Sequence, residues 1–345
     1  MSKQENLNDT NSYHSINKRI NNKIKEVRSY KNKNAKITVH FSKQRESVKP
    51  PLYYKYDIQQ YDLHPGYYFD EFTNLIPRGV AEYIDDGSRY VERIVRALYY
   101  FNQCALIGPT GTGKTHIVYL IAELMGLPVW EINCALQTTG YDLIGRYIGL
   151  GKENWIDGQV VLWLKHGGIL YLDEANLMRQ DIVSRLNSVL DSRRHLVLTE
   201  KDNETILRHK YAYCIISINP ISPESVGTKK LNTSFRRRMS VWIKFSYQSI
   251  GTKISDQEAE LIIRRSKIDK DTAYKILKVG AEMRRQYEMG DLPYGPSPRD
   301  LVNWAILCKD GTDPVTAAEE SVIALTSEDF NVQEEVRNIV EKFFT

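Results

Sequence analysis

"GPTGTGKT", residues 108–115, is the stretch that decides the fold. It fits the pattern GxxxxGK(S/T) and lies between a short apolar run, "QCALIG", and a segment with apolar residues at helical spacing, "THIVYLIAELMG". A strand, a glycine-rich turn and a helix in this order bind phosphate, because backbone N–H groups and the helix N-terminus point at the anion. The stretch, called the phosphate loop below, therefore predicts a nucleotide site.

The residues of the phosphate loop have separate expected roles. Lys114 should reach the β- and γ-phosphates of ATP, and the Thr115 hydroxyl should bind Mg²⁺. The residues expected to surround the phosphates are Gly108, Pro109, Thr110, Gly111, Thr112 and Gly113.

Two more apolar runs end in polar residues. "GGILYLDEAN" contains Asp173 and Glu174, and "YCIISINP" ends with Asn219 before a proline that stops the strand. The carboxyl ends of parallel strands open into one crevice, so Lys114, Asp173 and Asn219 are expected to face the same site. Asp173 suits the Mg²⁺ shell and Glu174 suits a base that activates the attacking water. Asn219 could hold that water or sense the γ-phosphate.

The order of the apolar segments predicts the fold class. The strand candidates "QCALIG", "PVWEIN", "GGILYLDEA", "YCIISINP" and "MSVWIKF" alternate with helical or loop material, which predicts a mainly parallel sheet with helices on both faces. The polar stretch "TEKDNETILRHK" is typical of a hairpin tip, and from about Gln248 the pattern is helical only. We predict an α/β nucleotide-binding domain over 81–247 and a small all-helical lid domain over 248–345.

The N-terminal region differs in composition from the rest. Residues 1–50 contain 12 Lys or Arg and 4 Asp or Glu, whereas residues 51–345 contain 35 Lys or Arg and 39 Asp or Glu. The overall net charge of +4 is therefore the sum of a basic N-terminal arm and a slightly acidic remainder. We predict a disordered basic extension over 1–52 and an ordered, Tyr-rich lead-in over 53–80 that packs on the main domain. The arm could contact nucleic acid or an acidic partner, or it could be a solvated extension.

Neither a membrane span nor a disulfide framework is expected. The stretch "IVYLIAELMGLPVW" is interrupted by Glu123 and Gly126 and is shorter than the ~20 residues that a span needs, and the N-terminus has no apolar signal region. The four cysteines, at positions 104, 134, 214 and 308, are far apart, which argues against a zinc site and for reduced thiols. These features predict a cytoplasmic protein.

Five motifs resemble, in their order, those of a known family. "GPTGTGKT", "LYLDEAN", "SINP", "SFRRRM" and "GPSPRDL" are similar to the Walker A, Walker B, sensor 1, arginine-finger and sensor 2 motifs of the MoxR-like AAA+ ATPases. "DLIGRYIGLGKENWIDGQ", "LDSRRHL" and "VRNIVEKFF" resemble the CbbQ/NirQ/NorQ/GvpN branch, whose members assist rubisco, nitric oxide reductase or gas-vesicle assembly. The likeness runs from about Ala81 to Phe344 and implies the P-loop AAA+ fold with ATP and Mg²⁺ as cofactors.

The resemblance also implies partners and site residues. Members form homo-oligomeric rings, usually hexamers, that remodel a client protein complex, often through a von Willebrand A-type adaptor. Carried onto this chain, Glu174 is the catalytic base, Asn219 is sensor 1 and Asp173 completes the metal site. Arg236 and Arg238 match the paired arginine-finger positions, and one of the two suffices to act on the nucleotide of a neighbouring subunit.

Arg299 matches sensor 2 in this resemblance. Ser297 is a good N-cap and Pro298 a good first helical residue, so Arg299 is expected in the first turn of a lid helix. From there it could reach back to the γ-phosphate. An exposed arginine in a well-capped helix would show the same pattern.

Tyr141, Tyr147 and Trp155 lie among glycines in "YDLIGRYIGLGKENWIDGQ". Aromatic side chains give a large contact area at low entropy cost, so these residues could face a central pore and grip a client. They could equally pack under the loop.

Together the motifs favour an ATP-hydrolysing, ring-forming remodeller of a partner protein or metalloenzyme complex. The basic arm and the arginine run would also suit a nucleic-acid-dependent AAA+ motor or loader. A gas-vesicle-type assembly ATPase with slow turnover is a third hypothesis.

Overall fold

The computed structural model describes residues 55–58, 61, 63, 70–149, 154–219 and 231–344. The basic extension predicted over 1–52 lies outside these ranges. Within them the strands are β1 (Gln103–Ile107), β2 (Val129–Asn133), β3 (Gly145–Tyr147), β4 (Trp155–Asp157), β5 (Gly168–Asp173), β6 (His195–Leu198), β7 (Glu204–Leu207), β8 (Ala212–Ile218) and β9 (Trp242–Lys244).

Five of these strands form one parallel sheet in the order β2-β5-β8-β1-β9. They are the five strand candidates of the sequence, and the predicted parallel sheet is confirmed. All seven residues of β8 are buried, as expected for an inner strand of a sheet that helices cover on both faces.

Helices separate the strands and follow the last of them. The α-helices are α1 (Tyr90–Phe101), α2 (Lys114–Met125), α3 (Gly140–Leu143), α4 (Gln159–His166), α5 (Gln180–Arg185), α6 (Asn187–Leu190), α7 (Thr233–Arg238), α8 (Asp256–Ser266), α9 (Lys270–Met289), α10 (Pro298–Lys309), α11 (Pro314–Ala318), α12 (Ala324–Thr326) and α13 (Phe330–Phe344). Turns of 3₁₀-helix cover Asp70–Leu75 and Ala175–Leu177, and a π-helical turn, Glu319–Ile323, joins α11 to α12.

Side chains alternate along β5 and build two apolar layers. Ile169 and Tyr171 pack with α1 and α2 on one face, whereas Leu170 and Leu172 pack with α4 and α5 on the other. The strand ends at Asp173, on the carboxyl edge of the sheet.

Two antiparallel hairpins extend from the sheet region. Strands β3 and β4 pair with each other, and β6 pairs with β7 so that Leu198 lies opposite Glu204. The turn between β6 and β7 belongs to the stretch predicted as a hairpin tip, and that prediction is confirmed.

The helices after β9 enclose a core of their own. Trp304 is fully buried in it, and its indole Nε1 donates to Pro314 O at 2.9 Å. At the other end of the chain, Ile58 and Leu63 are buried against the sheet region, where Tyr213 OH donates to Leu63 O at 2.7 Å. None of the helices in the described ranges is both long enough and apolar enough to cross a membrane.

Candidate nucleotide-binding site

Glycine allows the phosphate loop to take its shape. The φ angles of Gly111 and Gly113 are +74° and +87°, in the left-handed region that side chains disfavour. A Cβ on Gly111 would also lie 2.1 Å from the Cβ of Ser297. Thr112 Oγ1 donates to Pro109 O at 2.9 Å and so closes the loop on itself, directly before α2 begins.

Lys114 is buried beneath this loop, with 7% of its surface exposed. Its Nζ donates to Gly108 O at 2.8 Å, to Pro109 O at 2.7 Å and to Asn219 Oδ1 at 3.0 Å. Burial lowers the pKa of Lys114 from 10.5 to about 8, against the opposing effect of two nearby carboxylates. The lysine is therefore still mostly charged at pH 7 and loses its charge as the pH rises through about 8.

Three hydroxyl groups hold the Asp173 carboxylate. Tyr171 OH donates to Oδ1 at 2.8 Å, Thr115 Oγ1 donates to Oδ2 at 3.3 Å, and Ser217 Oγ also donates to Oδ1. The Thr115 and Tyr171 hydroxyl oxygens are 3.1 Å apart. Burial, together with the adjacent Asp173, raises the pKa of Tyr171, so its hydroxyl remains a hydrogen-bond donor. These oxygen atoms lie together where the sequence predicts a Mg²⁺ site.

Glu174 has a left-handed backbone, with φ 53° and ψ 42°. For a residue with a Cβ this conformation costs about 1–2 kcal/mol, and it persists only where surrounding contacts hold it. The Glu174 N–H is held by Asp173 Oδ1 and by Ser217 Oγ, both at 3.1 Å. The strain therefore falls on the residue predicted to be the catalytic base.

Asn219 bridges the lysine and the glutamate. Its Oδ1 accepts from Lys114 Nζ, and its Nδ2 donates to Glu174 Oε1 at 2.8 Å. The ends of β5 and β8 and the start of α2 thus bring Lys114, Thr115, Asp173, Glu174 and Asn219 into one network.

Helix α10 begins with a reciprocal cap. Ser297 Oγ accepts from Asp300 N at 3.4 Å, Asp300 Oδ2 accepts from Ser297 N at 2.7 Å, and Pro298 is the first helical residue. The predicted N-cap is therefore confirmed. Arg299 lies in the first turn, is exposed, and has no hydrogen bond or ion pair with another residue of the described ranges. Because Ser297 abuts Gly111, this end of the helix lies against the phosphate loop.

The arginines of "SFRRRM" lie in different surroundings at the end of α7. Arg238 Nε donates to Asn187 O at 2.9 Å, and its Nη2 donates to Asp191 Oδ2 at 3.3 Å. Arg236 is exposed, and its guanidinium carbon lies 4.6 Å from the centre of the Trp242 ring. Arg238 is thus bonded to other residues of its own chain, whereas Arg236 is accessible on the surface.

A segment before α1 contacts helix α2 and the phosphate loop; the sequence predicts that its first part, up to residue 80, packs on the main domain, but not that it reaches the nucleotide site. Buried Glu123 of α2 accepts from Gly79 N at 2.6 Å and from Val80 N at 2.7 Å, while Tyr83 OH donates to Thr112 O at 3.3 Å. From the sequence, Glu123 is noted only because it interrupts an apolar run. A carboxylate inside an otherwise apolar helix is nevertheless a signal, because such a group must find hydrogen-bond donors.

Sequence reasoning also misses Tyr171 and Ser217, which stand inside apolar strand runs. Each lies two residues before a predicted site residue, Asp173 or Asn219. Since side chains two apart share a face of a strand, that spacing is the signal that could have found both hydroxyls.

The aromatic residues around β3 and β4 fall into two groups. Tyr141 and Tyr147 are 60% and 37% exposed. Trp155 is half-buried: its ring centre lies 5.0 Å from that of Tyr147, and its Nε1 donates to Asp157 Oδ1 at 2.7 Å. The tyrosines are accessible to a partner, whereas Trp155 packs within the hairpin.

The sequence of this chain is similar to two protein families and to several known proteins. Residues 103–239 match the family described as "AAA domain (dynein-related subfamily)", and residues 258–343 match "CbbQ/NirQ/NorQ C-terminal". The denitrification regulatory protein NirQ of Pseudomonas aeruginosa is 31% identical over 253 residues, which cover 73% of this chain and 94% of NirQ.

Two further relatives show a similar degree of likeness. Protein CbbQ of Hydrogenophilus thermoluteolus is 31% identical over 258 residues, covering 74% of this chain and 92% of CbbQ. Protein NorQ of Paracoccus denitrificans is 30% identical over 240 residues, covering 69% of this chain and 85% of NorQ.

Proposed function

Because the chain belongs to the CbbQ/NirQ/NorQ branch of the MoxR-like AAA+ ATPases, we propose that it uses ATP hydrolysis to remodel or activate a partner protein or metalloenzyme complex. The observation that carries the hydrolytic part is the Asn219 bridge, which contacts both Lys114 and Glu174. One amide thereby links the residue that would bind phosphate to the residue that would activate water.

Thr115 and Asp173 would hold Mg²⁺ in this reaction. Their oxygen atoms are 3.3 Å apart, and the Tyr171 hydroxyl lies beside them, which is the all-oxygen donor set that this hard cation prefers. When bound, Mg²⁺ neutralises charge on the β- and γ-phosphates. Lys114 adds its own positive charge to the same phosphates, while Tyr171 and Ser217 keep the Asp173 carboxylate oriented.

Glu174 would accept the proton of the attacking water. Its carboxylate is oriented by Asn219 Nδ2, and the other end of the same amide bonds to Lys114 Nζ. A phosphate oxygen that takes over Lys114 Nζ would release the Asn219 carbonyl oxygen. The orientation of Glu174 is therefore coupled to the presence of the γ-phosphate.

Two variants of the full-length chain test the hydrolytic proposal. Glu174→Gln should leave ATP binding intact and lower the rate of ATP hydrolysis by about 100-fold or more, because the proton acceptor is lost. Lys114→Ala should weaken ATP binding itself. Glu260→Gln, on the lid surface where Glu260 pairs with Arg264, is the matched control and should hydrolyse ATP at the normal rate. Normal turnover by Glu174→Gln would remove that residue from the mechanism.

The ring and its arginine finger form the next part of the proposal. We expect a homo-oligomer, with six subunits as in the family, in which an arginine contacts the nucleotide of a neighbouring subunit. The exposure of Arg236 supports this residue as the finger, since Arg238 is bonded to Asn187 and Asp191 of its own chain. Mixing Arg236→Ala subunits with Lys114→Ala subunits should restore part of the activity, because each supplies what the other lacks. Absence of rescue at every mixing ratio would contradict a finger acting in trans.

The partner is proposed to be a client complex reached through a von Willebrand A-type adaptor, with an activase-like role as for rubisco or nitric oxide reductase. The exposure of Tyr141 in α3 and of Tyr147 in β3 supports this region as the client contact. Co-expression with such an adaptor should yield a complex that co-elutes in size-exclusion chromatography. Stimulation of hydrolysis by DNA or RNA would favour a nucleic-acid motor instead, and one slow turnover without further hydrolysis would favour a gas-vesicle-type assembly role.

A further inference from the structure

A buried polar cluster joins the end of the sheet to the helices that follow it. Its members are Tyr247, Ser249, Glu258 and Arg284, and we name it the hinge cluster. The side chains of Arg284 and Glu258 are 0% and 1% exposed, and their two N–O contacts measure 2.8 and 3.1 Å. The Arg284 guanidinium carbon also lies 4.4 Å from the centre of the Tyr247 ring.

Stability alone does not account for an ion pair buried so completely. Taking two charges out of water costs several kcal/mol, and apolar replacements of similar volume are often as stable. A planar guanidinium has another capacity, which is to fix several acceptors in one geometry. In the hinge cluster Ser249 N donates to Glu258 Oε2 at 3.0 Å, and Ser249 O accepts from Arg284 Nη1 at 3.0 Å. The pair therefore fixes the segment that leaves the sheet.

Arg284 also fixes the turn before α10. Its Nε donates to Pro296 O at 2.7 Å, and Tyr247 OH donates to the carbonyl oxygen of the preceding residue at 3.1 Å. The residue after Pro296 is Ser297, which caps α10 and abuts the phosphate loop at Gly111. One guanidinium thus holds together the exit from the sheet, helices α8 and α9, and the turn that faces the nucleotide site.

We propose that Arg284 is a positioning residue that, through Pro296 and Tyr247, sets where Arg299 meets the γ-phosphate. The proposal rests on the proposed role of Arg299 as sensor 2. Arg284 itself is completely buried and therefore has no surface open to the nucleotide site. Its effect is to make the first turn of α10 rigid relative to the phosphate loop, so that Arg299 distinguishes ATP from ADP.

The test measures this distinction by nucleotide affinity instead of by turnover. In the full-length chain carrying Glu174→Gln, the dissociation constants of MgATP and MgADP are measured by calorimetry for Arg284→Lys, Arg299→Ala and the double variant. Lysine keeps the charge opposite Glu258, but its single Nζ cannot occupy the separate positions from which Nε, Nη1 and Nη2 of Arg284 reach Pro296, Ser249 and Glu258. Arg299→Ala should reduce the preference for ATP by about tenfold, as expected for one hydrogen bond to a charged group. Arg284→Lys should reduce it similarly, and the double variant should be no worse than either single variant.

Arg285→Lys is the matched control, because the neighbouring Arg285 is only partly buried and pairs with Glu282 on the same helix. It should keep the full preference for ATP. If Arg284→Lys keeps that preference while Arg299→Ala loses it, or if the two effects add, the positioning role is overturned although Arg299 stands as sensor 2. If Arg299→Ala changes nothing, both the sensor 2 assignment and the role of Arg284 are overturned.

Thermal melting of each variant monitors its fold. Should Arg284→Lys fail to fold, Tyr247→Phe takes its place, since it removes the hydroxyl that contacts the turn at 3.1 Å and Thr110 O of the phosphate loop at 3.5 Å, and leaves the ion pair intact. Full ATP preference in folded Tyr247→Phe would likewise overturn the proposal.

Discussion

Raising the pH from 7 to 9 should weaken ATP binding about tenfold, because Lys114 loses its charge in this range. Burial places the pKa of Lys114 at about 8. About nine in ten molecules therefore carry the charged lysine at pH 7 and about one in ten at pH 9, whereas the phosphates of ATP are ionised across most of this range. Phosphate beside Nζ favours the ammonium form, so binding above pH 8 must take up a proton. The resulting loss of binding free energy is about 1.4 kcal/mol.

Calorimetry on the Glu174→Gln chain measures this effect without hydrolysis. Titrations of MgATP at pH 7, 8 and 9, each in two buffers of different ionisation enthalpy, give both the affinity and the number of protons taken up. We expect uptake of about 0.1 proton at pH 7 and about 0.9 at pH 9.

Two lysine variants control for other titrating groups. Lys165→Met removes a lysine that pairs with Asp157 away from the phosphate loop, and it should keep the full dependence on pH. In Lys114→Met the residual affinity should be independent of pH. An affinity that stays constant from pH 7 to 9 in the parent chain, or equal proton uptake in Lys114→Met, would refute the reasoning.

Three further substitutions have expected outcomes. Tyr171→Phe should raise the Mg²⁺ concentration that half-saturates ATP binding by about tenfold, because the Asp173 carboxylate of the proposed metal site loses an orienting hydroxyl. Tyr213→Phe, on the adjacent strand, should leave that concentration unchanged, and equal effects of the two variants would argue against a local role. Gly111→Ala should lower the melting temperature and the nucleotide affinity, since its φ is +74° and its Cβ would collide with the cap of α10. Gly290→Ala, at φ +85° with no atom within 4 Å, should show only the conformational cost of about 1–2 kcal/mol, and an equal loss in both would contradict the collision. Arg238→Ala should lower the free energy of unfolding in urea by about 1–3 kcal/mol, and a loss below about 0.5 kcal/mol would show that its bonds to its own chain are not structural.

The convergence of the site could be predicted because it depends mainly on chain order. In a parallel sheet the carboxyl ends of all strands meet at one edge, whatever the length of the connecting segments. Asp173 and Asn219 end two such strands, and Lys114 follows a third, so their proximity required no knowledge of packing. The hydroxyls of Tyr171 and Ser217, which contact Asp173 and Glu174, could not be predicted, because both residues lie inside apolar runs typical of buried strands.

Contacts that depend on tertiary packing could not be predicted. Helical periodicity assigns Glu258 and Arg284 to helices, but charged side chains are exposed by default, and nothing local shows that these two meet in a core.

The directions in which the arginines of "SFRRRM" point could not be predicted either. Successive residues of a helix point about 100° apart, so neighbours of identical chemistry face different surroundings, and only the fold shows that Arg238 turns inward and Arg236 outward.

The left-handed backbone of Glu174 has a consequence for the evolution of this chain. Glycine or asparagine would relieve the strain there, by about 1 kcal/mol, so selection for stability alone opposes glutamate at this position. With Glu174 as the proposed base, glutamate is retained there only while turnover itself is selected. In a descendant that kept the fold as a static scaffold, we expect the position to drift to glycine or asparagine early. The identity of this single residue would then record whether a lineage still consumes nucleotide.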